Sequence, residues 1–426
     1  MRAHEVVITG CGAITPHGTI PATWQALCRG ESAVRPVTIP GTQGMRDIMA
    51  MSSRWFDVGR EIADGRLRRM LGWASGLAVS AGVMAWRDAA LDDTVALDEM
   101  ATVFAVPIPD LQLEQLHGVL RGGFDEDGTW HAGRFAAAMR RAVPPYWRLA
   151  QIPNLIGYAL SVVVGIRGKA IALSTACASG IDAIGLAARL VAHGEARIVV
   201  AGGGDSLLTP AAYALMHRFQ LLARGDDAGA VRCRPFDRDR QGLVLSEGAG
   251  AVVLEAAHSA RGRGRAPYGR LLGYGSTVCG ATTLDVKSRT DGFAAAMEAA
   301  LRDAKTRPND VEGVVAYGAG TRHGDGEEAD AIGKVLGSLA RVPVTSTKGA
   351  LGYLGAAAGS VDAIVTLLAI RDRLMPPTAN HRVPDRGWAI DCVAGSPRPF
   401  PGRLALVNSH GVGGHYASLV LGRVAA

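Results

Sequence analysis

The chain has 426 residues, a formal net charge of +6, 55 glycines and 5% aromatic residues, so it can bury a large core and should form two or three domain-sized units with many tight turns. No charged-then-apolar leader and no apolar run near the ~20 residues that span a bilayer are present, which predicts a cytoplasmic protein without a membrane segment. Its six cysteines form no C-x-x-C pair or zinc-spaced cluster, and its arginines are scattered without aromatic interleaving, which argues against disulfides, a metal site and nucleic-acid binding.

The first 90 residues contain one predicted strand and two predicted helices. Residues 5–10 are apolar and small, which is typical of a buried strand. The polar, proline-containing stretch up to about residue 60 predicts a loop with a short helix near residues 24–28. Apolar residues then recur at helical spacing over residues 67–90, which predicts a helix there.

Cys177 lies between a predicted strand and a predicted helix. Residues 171–173 are apolar, residues 174–180 read Ser-Thr-Ala-Cys-Ala-Ser-Gly, and an apolar helical pattern follows from Ile181. A thiol at a helix start meets unpaired backbone N–H groups, whose partial positive charge favours the thiolate. A free cysteine is often only a small buried hydrophobe, but the strand–turn–helix setting favours a nucleophile.

Further strands follow this helix. Residues 197–201 predict a strand that ends in three glycines at 202–204, and residues 249–254 predict another strand. The stretch 258–268 is rich in Arg, Gly and Pro and predicts a crossing between two halves of the chain. Strands that alternate with helices in this way indicate α/β layering.

Two short internal repeats support the division into halves. Gly-Ile-Asp-Ala-Ile at 180–184 has a partner in Ser-Val-Asp-Ala-Ile at 360–364, each at the start of an apolar helix. Gly-Cys-Gly at 10–12 is echoed by Gly-Tyr-Gly at 273–275. Repeats of this kind are typical of a fold built from two similar units.

The Cys177 motif resembles the nucleophile elbow of the elongating β-ketoacyl-carrier-protein synthases, the condensing enzymes of fatty-acid and polyketide assembly. Four further motifs of that family occur in the same order: Val-Val-Ile-Thr-Gly-Cys-Gly-Ala-Ile-Thr-Pro at 6–16, Pro-Phe-Asp-Arg-Asp-Arg at 235–240 with Ser-Glu-Gly-Ala-Gly at 246–250, Thr-Ser-Thr-Lys at 345–348, and Asn-Ser-His-Gly-Val-Gly-Gly at 408–414. One such motif is a weak signal, whereas five in order along almost the whole chain identify the family.

The resemblance implies a thiolase-type α/β fold, with two similar halves packed as five αβαβα layers. The N-terminal half would span residues 1–265, with a cap insertion at about 30–150, and the C-terminal half residues 266–426. Residues 100–150 match the family least, and we expect them to shape the cap and substrate channel. The resemblance also implies a dimer in which the strand after Gly168 pairs across a two-fold axis, next to the apolar run 160–166.

Two catalytic histidines of the resembled family are missing. The first belongs in AHGTGTPxGD, where this chain has Ala-Tyr-Gly-Ala-Gly-Thr-Arg-His-Gly-Asp at 316–325, so Tyr317 takes its position. The second belongs in STKxxxGHLLGAAG, where Tyr353 stands. A tyrosine has a pKa near ~10, so at neutral pH it donates a hydrogen bond but accepts protons poorly and cannot become a cation. We therefore expect decarboxylative condensation by this site alone to be severely slowed.

The resemblance assigns roles to several other positions. Thr321 keeps the second of two threonines that touch the pantetheine arm, whereas Ala319 replaces the first. Cys177 N–H and the backbone N–H of Val412 would form the oxyanion hole, although Val412 itself replaces a gating phenylalanine. Lys348 and Glu247 would brace the site, or only form an internal ion pair or hydrogen-bond network.

Three histidines lie near the matched loops. His410 replaces a family phenylalanine in a loop that should line the pocket, so it is a possible substitute for a lost catalytic histidine. His323 and His415 are more typical of surface or core residues.

Two hypotheses for function follow. The first is a ketosynthase-like, chain-length-determining partner subunit of a type II polyketide system. The retained Cys177 argues against this first hypothesis. The second is an acyltransferase, hydrolase or non-standard condensing enzyme that works through acyl-Cys177. Both imply an acyl carrier protein as partner, whose phosphopantetheine arm carries the substrate, no bound cofactor, and either a heterodimer with an active ketosynthase or a homodimer. A dinucleotide-binding oxidoreductase is disfavoured because the glycine-rich turns lack G-x-G-x-x-G spacing.

Overall fold

The computed structural model describes residues 4–39, 48–91, 95–106, 113–147, 149–225, 232–280, 289–337, 342–385, 387–388 and 390–424. Within these residues the strands are β1 Val6–Ile14, β2 Arg35–Val37, β3 Ile48–Ala50, β4 Met100–Ala105, β5 Ala170–Leu173, β6 Ile198–Ser206, β7 Glu247–Ala256, β8 Gly269–Val278, β9 Gly313–Val315, β10 Pro343–Thr345, β11 Leu374–Met375, β12 Asp391–Cys392, β13 Arg398–Pro399, β14 Leu404–Gly411 and β15 His415–Gly422. The helices are α1 Ile20–Cys28, α2 Gly65–Met70, α3 Trp73–Asp88, α4 Leu113–Gly122, α5 Ala132–Ala142, α6 Leu155–Val164, α7 Ser179–Ala192, α8 Pro210–Arg218, α9 Ala257–Gly262, α10 Thr290–Asp303, α11 Arg322–Leu336, α12 Lys348–Leu351 and α13 Ala358–Asp372.

A mixed sheet runs through the molecule in the strand order β12-β10-β9-β14-β15-β8-β1-β7-β6-β4-β5. The two halves of the chain meet where β1 pairs antiparallel with β8, from Val6 opposite Leu271 to Ile8 opposite Gly269. Strands β4, β5 and β6 are mutually parallel, as are β9, β10 and β14. Parallel pairs of this kind require crossover helices, and those helices form the layers.

Helices α7 and α13 form the central layer, because each contacts strands of both halves, including β6 and β7 on one side and β14 and β15 on the other. The outer layers are α3 with α6, which cover the N-terminal strands, and α10, which covers the C-terminal strands and packs against α11. The apolar central helices explain why both faces of these strands are buried. This is the five-layer αβαβα thiolase-type arrangement that the sequence predicted.

The glycine repeat has the same packing role in both halves. A Cβ at Gly12 in β1 would lie 2.2 Å from the Ala81 carbonyl of α3. A Cβ at Gly275 in β8 would lie 2.3 Å from the Ala296 carbonyl of α10. Only glycine lets a helix backbone approach a strand so closely, so the repeat in sequence corresponds to a repeated strand–helix contact.

Most predicted elements occur near their expected positions, with three differences. The cap insertion expected at about 30–150 includes α3 and β4, which belong to a helix layer of the core and to the central sheet. The helical pattern over 67–90 is two helices, α2 and α3, because the chain is extended at Leu71 and Gly72 between them. The strand expected to end before the glycines at 202–204 instead continues through them as β6. A Cβ at Gly202 would lie 2.1 Å from the Gly250 carbonyl of β7, so this glycine allows close strand pairing rather than ending the strand.

Strand β5 is the last strand of the sheet and pairs with β4 on one side. Helix α6 packs against β4 and β5. Its side chains Tyr158 and Val162 are exposed by 49% and 50%, whereas Leu160 and Ile166 are buried. The apolar run that the sequence places beside this strand is therefore partly core and partly surface.

Candidate functional site

Cys177 lies in a sharp turn between β5 and α7, which we call the elbow, residues 174–178. Ala176 adopts a left-handed backbone conformation with φ +52°, which costs free energy for a residue other than glycine. The Ser179 hydroxyl donates to the Ala176 carbonyl and accepts from the Thr175 backbone N–H at 2.7 Å. These bonds stabilise the turn and put Cys177 just before the first turn of α7.

The Cys177 thiol is buried, with 6% of the residue exposed. Burial raises the pKa of Cys177 to about 12, while a hydrogen bond from Tyr353 and the charge of Lys348 lower it less. The nearby carboxylate Asp205 raises the pKa further. The expectation that the helix start would favour a thiolate is therefore wrong for this closed site, because desolvation outweighs the favourable contacts. The thiol is protonated at neutral pH and must lose its proton as it attacks.

Tyr317 and Tyr353 meet directly beside the thiol. Their hydroxyl oxygens are 2.9 Å apart, and both residues are buried. The Tyr353 hydroxyl also hydrogen-bonds to Cys177. Burial is the main cause that raises the pKa of both tyrosines well above the usual value. Both are therefore neutral at physiological pH and form a hydrogen-bonded chain that ends at the sulfur.

His410 lies on β14 within an aromatic cluster. Its ring centroid is 5.4 Å from that of Tyr317, 5.7 Å from Phe293 and 4.7 Å from Tyr416. Burial, with a smaller effect of His415, lowers the pKa of His410 to about 4. The side chain is therefore a neutral imidazole at pH 7, next to the tyrosine pair.

Lys348 forms a buried ion pair with Asp362 of α13, and both side chains are 1% exposed. Asp362 also accepts from the Thr347 hydroxyl at 2.6 Å. The Lys348 ammonium lies 5.9 Å from the centroid of the Tyr317 ring. The ion pair with Asp362 therefore holds the Lys348 side chain beside the tyrosine pair.

Glu247 lies elsewhere and does not pair with Lys348. Its carboxylate accepts from the hydroxyls of Ser52 at 2.8 Å and Ser206 at 2.7 Å, and from the Trp73 indole N–H at 2.9 Å. These bonds join β7 to the segment after β3 and to α3. The Arg54 guanidinium also lies 3.7 Å from this carboxylate, so Glu247 belongs to a hydrogen-bond network that includes an ion pair. Asp362 is the carboxylate partner of Lys348 that sequence reasoning missed.

The backbone before Val412 packs against the elbow. The Ser409 hydroxyl donates to the Cys177 carbonyl at 2.9 Å. A Cβ at Gly411 would lie 2.3 Å from the Thr175 carbonyl and 3.2 Å from the Cys177 nitrogen. Glycine is therefore required where β14 approaches the elbow. The Val412 side chain is 41% exposed.

Two buried carboxylates hold the loop that carries Tyr317. Asp325 is the last residue of the motif at 316–325, whereas Glu328 lies beyond that motif and was missed by sequence reasoning. Glu328 accepts from the Tyr317 and Gly318 backbone N–H groups at 2.9 and 2.8 Å. Asp325 accepts from the Gly320 N–H at 3.0 Å. Burial raises the pKa of Asp325 to about 7 and also raises the pKa of Glu328. Both carboxylates lie on α11, about one turn apart. Because residues at this spacing share one face of a helix, both reach the same loop.

The positions assigned to the pantetheine arm lie at the end of this loop. Ala319 is buried and its carbonyl accepts from the Cys233 thiol at 3.4 Å. Thr321 is half-buried before α11, and its carbonyl accepts from Arg240 at 3.2 Å. His323 lies in the first turn of α11, where its exposed ring is 3.7 Å from the Glu327 carboxylate.

All six cysteines are free thiols. Among the described residues, no group of three or more His, Cys, Asp or Glu side chains is arranged to hold a metal ion. In the same residues, no helix is both long and apolar enough to cross a bilayer.

The layered arrangement of helices and strands, with a strained elbow that leads from β5 into α7, defines a protein of the thiolase-type fold. Family profiles identify the branch: the profile described as "Beta-ketoacyl synthase, N-terminal domain" matches residues 3–260, and "Beta-ketoacyl synthase, C-terminal domain" matches residues 268–382. The chain belongs to the β-ketoacyl synthase family.

Relatives and solved structures are similar to this chain over all or nearly all of its length. The chain is 34% identical to 3-oxoacyl-[acyl-carrier-protein] synthase 2 of Vibrio harveyi and 31% identical to that of Coxiella burnetii, each over 100% of both chains. It is similar to the ishigamide ketosynthase/chain length factor structure, with a TM-score of 0.86, 30% identity and coverage of 99% of this chain and 100% of that one. A type II polyketide acyl-carrier protein in complex with its ketosynthase bound to the hexaketide gives a TM-score of 0.84 at 25% identity, covering 99% of this chain and 100% of that one.

Proposed function

We propose that this chain is a ketosynthase-like partner subunit that accommodates carrier-protein-bound acyl groups and sets product length, while an active ketosynthase performs the condensation. The observation that carries the proposal is the 2.9 Å contact between the Tyr317 and Tyr353 hydroxyls beside Cys177. By the family resemblance, these tyrosines occupy the positions of the two catalytic histidines.

Decarboxylative condensation needs groups that stabilise the enolate formed when a malonyl thioester loses CO₂. Each lost acid–base or oxyanion group is worth roughly 10²–10⁴-fold in rate. Tyr317 and Tyr353 are neutral donors, and their hydroxyls are already bonded to one another. A malonyl carbonyl would have to break that contact to gain a donor. The pair therefore works against decarboxylation chemically and sterically.

His410 is a poor substitute for either histidine. Its pKa of about 4 makes it a weak proton acceptor at pH 7, and it is not a cation there. Its ring also packs among Phe293, Tyr317 and Tyr416. A catalytic role for it would require this cluster to open.

The exposed edge of the sheet supports an association with a similar subunit. Strand β5 ends the sheet, and an unpaired edge strand offers backbone donors and acceptors to another strand. The exposed Tyr158 and Val162 on α6 add apolar surface beside it. A β5–β5 pairing would put the two elbows near the same two-fold axis, so that one subunit can shape the channel of the other. One similar structure is described as a ketosynthase/chain length factor, which supports the proposal that a chain of this kind associates with a ketosynthase.

The substrate carrier in this proposal is the phosphopantetheine arm of an acyl carrier protein, with Thr321 and the backbone near Ala319 along its path. The relatives are named for acyl-carrier-protein substrates. The net charge of +6 suits an acidic protein partner.

The test is co-expression with the condensing ketosynthase of the same pathway, followed by size-exclusion chromatography and intact mass. A stable complex of one copy of each chain, whose product length changes when this chain is replaced by a homologue, is the expected result. A homodimer that ignores the ketosynthase and has condensing activity of its own would refute the proposal.

A second candidate function is acyl transfer or hydrolysis through Cys177, favoured by the retained thiol in a strained elbow at a helix start. In acyl transfer, the Cys177 sulfur would form a new thioester bond to the acyl carbon. The bond from that carbon to the phosphopantetheine sulfur would break, and the Cys177 proton would end on the released phosphopantetheine thiol. Turnover by the isolated chain, with transfer of the acyl group to water or a second thiol, would favour this function over the subunit role.

A further inference from the structure

Asp182 is a buried carboxylate in the first turn of α7 that neither proposed reaction uses. It is 5% exposed. One of its oxygens accepts from the Tyr274 hydroxyl at 2.7 Å, and the other accepts from the Thr175 hydroxyl. Thr175 lies two residues before Cys177, so the carboxylate is connected to the elbow by a single side chain.

The connection reaches the strained part of the elbow. Thr175 directly precedes Ala176, whose φ of +52° is unfavourable for alanine. Such a conformation persists only where surrounding contacts over-determine it. The Thr175 backbone N–H is held by Ser179 at 2.7 Å and its side chain by Asp182, so Thr175 is fixed on two sides.

Tyr274 anchors this chain of bonds in the other half of the molecule. It lies on β8, whereas Asp182 lies on α7. A Cβ at Gly185 would lie 2.3 Å from the Tyr274 ring, so the ring lies flat against the helix at this glycine. The Arg189 guanidinium lies 5.0 Å from the ring centroid on the same helix. Tyr274 therefore has little freedom to move away from Asp182.

The internal repeat supplies an independent argument. Asp182 in the 180–184 repeat corresponds to Asp362 in the 360–364 repeat. Asp362 also accepts from a threonine hydroxyl, that of Thr347, and it fixes Lys348 at the site. Both halves therefore use the aspartate of the repeated segment to hold a threonine next to a functional residue.

We propose that Tyr274, Asp182 and Thr175 form a brace, hereafter the elbow brace, that positions Cys177 for attack on an acyl thioester. These residues are positioning residues, because they act through the elbow backbone and not on the substrate. The proposal rests on acylation of Cys177 as described above. Its test therefore includes a measurement that does not need the acyl donor.

The first measurement compares Tyr274→Phe with a matched control, Tyr268→Phe. Tyr268 also hydrogen-bonds to a carboxylate, that of Asp88, and lies just before β8. Tyr274→Phe should lower the single-turnover rate of Cys177 acylation by acyl-carrier protein by about tenfold or more, since small misplacements of a reacting group have large effects on rate. The concentration of acyl-carrier protein at half-saturation should stay unchanged. Tyr268→Phe should leave both quantities at the wild-type value.

The second measurement is alkylation of each cysteine by iodoacetamide, followed by peptide mass spectrometry. When the brace is removed by Tyr274→Phe or Asp182→Asn, the elbow should relax and the buried Cys177 should be alkylated several-fold faster. Cys233, which is 0% exposed, reports global opening and should keep its wild-type rate. The brace is thus distinguished from a general loss of stability, which would speed up both cysteines.

Three results would overturn the proposal. One is an equal effect of Tyr274→Phe and Tyr268→Phe on acylation. Another is a change of half-saturation alone. The third is faster alkylation of Cys233 together with Cys177. If wild-type Cys177 is not acylated at all, the acyl-transfer step fails, and the alkylation rates still decide whether the brace holds the elbow.

Discussion

The hydroxyl oxygens of Tyr317 and Tyr353 are 2.9 Å apart in the buried site beside Cys177. Each hydroxyl carries one proton, so when Tyr353 donates to the Cys177 sulfur it can accept from Tyr317. The pair thus satisfies its own polar groups without substrate. A site with two imidazoles would instead present a donor, an acceptor and a possible cation to a malonyl group.

The first prediction concerns decarboxylation. The purified chain should release CO₂ from malonyl-carrier protein at least 10²-fold more slowly than an unaltered ketosynthase, because both imidazole positions hold neutral tyrosines. The measurement is radiolabelled CO₂ release under identical conditions. Release at a comparable rate would contradict the prediction, and loss of that rate in His410→Ala would assign it to His410.

The combined variant Tyr317→His/Tyr353→His tests whether the tyrosines are the only obstacle. We expect it to remain slower than the unaltered ketosynthase, because Ala319 and Val412 also differ from the family pattern. Full recovery of decarboxylation would show that the other differences have no effect on this step.

The second prediction concerns the pH dependence of Cys177. Its pKa is raised from 9.0 to about 12, so the thiolate fraction is very small at pH 7 and grows about tenfold per pH unit up to the pKa. The rate of Cys177 alkylation should therefore rise steadily over pH 7 to 10 without a plateau. A plateau near pH 7 to 8 would indicate a thiolate stabilised by the helix start and would contradict the effect of burial.

Tyr353→Phe sharpens this test, because it removes the hydrogen bond that lowers the pKa of Cys177. At a fixed pH below the pKa, Cys177 alkylation should be slower in this variant than in wild type. Tyr416→Phe is a suitable control, since its hydroxyl accepts from the Arg289 N–H at 2.8 Å and not from the tyrosine pair.

The elbow and its surroundings were predictable to different degrees. Strand β5, Cys177 and helix α7 follow from local pattern, because an apolar run, small turn residues and helical periodicity are all short-range signals. The thiol pKa was not predictable in the same way. It depends on how completely β14 and the tyrosine pair cover the sulfur, and sequence spacing carries no information about that burial.

The residues that pair with the charged side chains of the site were also not predictable from the sequence. The sequence marked Lys348 and Glu247 as bracing residues without showing their partners. Lys348 pairs with Asp362, whereas Glu247 lies 3.7 Å from Arg54 and accepts hydrogen bonds from Ser52, Ser206 and Trp73. The internal repeat that includes Asp362 was visible in sequence. The repeat does not show that Asp362 is the partner of Lys348, because that contact forms only when α13 and α12 come together in the folded chain.

The third prediction concerns the Lys348–Asp362 pair. Lys348→Met should lower the free energy of unfolding by about 3–5 kcal/mol, because it leaves the Asp362 carboxylate buried without its partner. The double variant Lys348→Met/Asp362→Leu should recover much of that loss, since a buried pair can be replaced by apolar groups at little cost. Chemical denaturation curves measure both.

The control for this pair is Lys169→Met, which removes the partner of Glu195 in an ion pair whose side chains are 50% and 48% exposed. Exposed pairs contribute little, so this variant should unfold at the wild-type denaturant midpoint. Equal destabilisation by Lys348→Met and Lys169→Met would contradict the assignment of a buried, mutually dependent pair.

The last prediction concerns the edge of the sheet. We expect the chain to be dimeric, with β5 and the exposed face of α6 at the interface, and Val162→Asp should disrupt that dimer. Val162 is 50% exposed in the single chain, so the aspartate costs little in the monomer. In an interface it would be a desolvated charge without a partner.

Val278→Asp is the matched control, because Val278 is 65% exposed at the end of β8, in the other half of the chain. Size-exclusion chromatography with light scattering, at several concentrations and with or without the co-expressed ketosynthase, should show a dimer for wild type and Val278→Asp. Val162→Asp should give monomer or a dimer that dissociates on dilution, and an unchanged dimer would place the interface elsewhere. Obligate interfaces commonly bury on the order of 2,000 Å² or more, so a wild-type chain that is monomeric at all concentrations would remove the structural basis of the partner-subunit proposal.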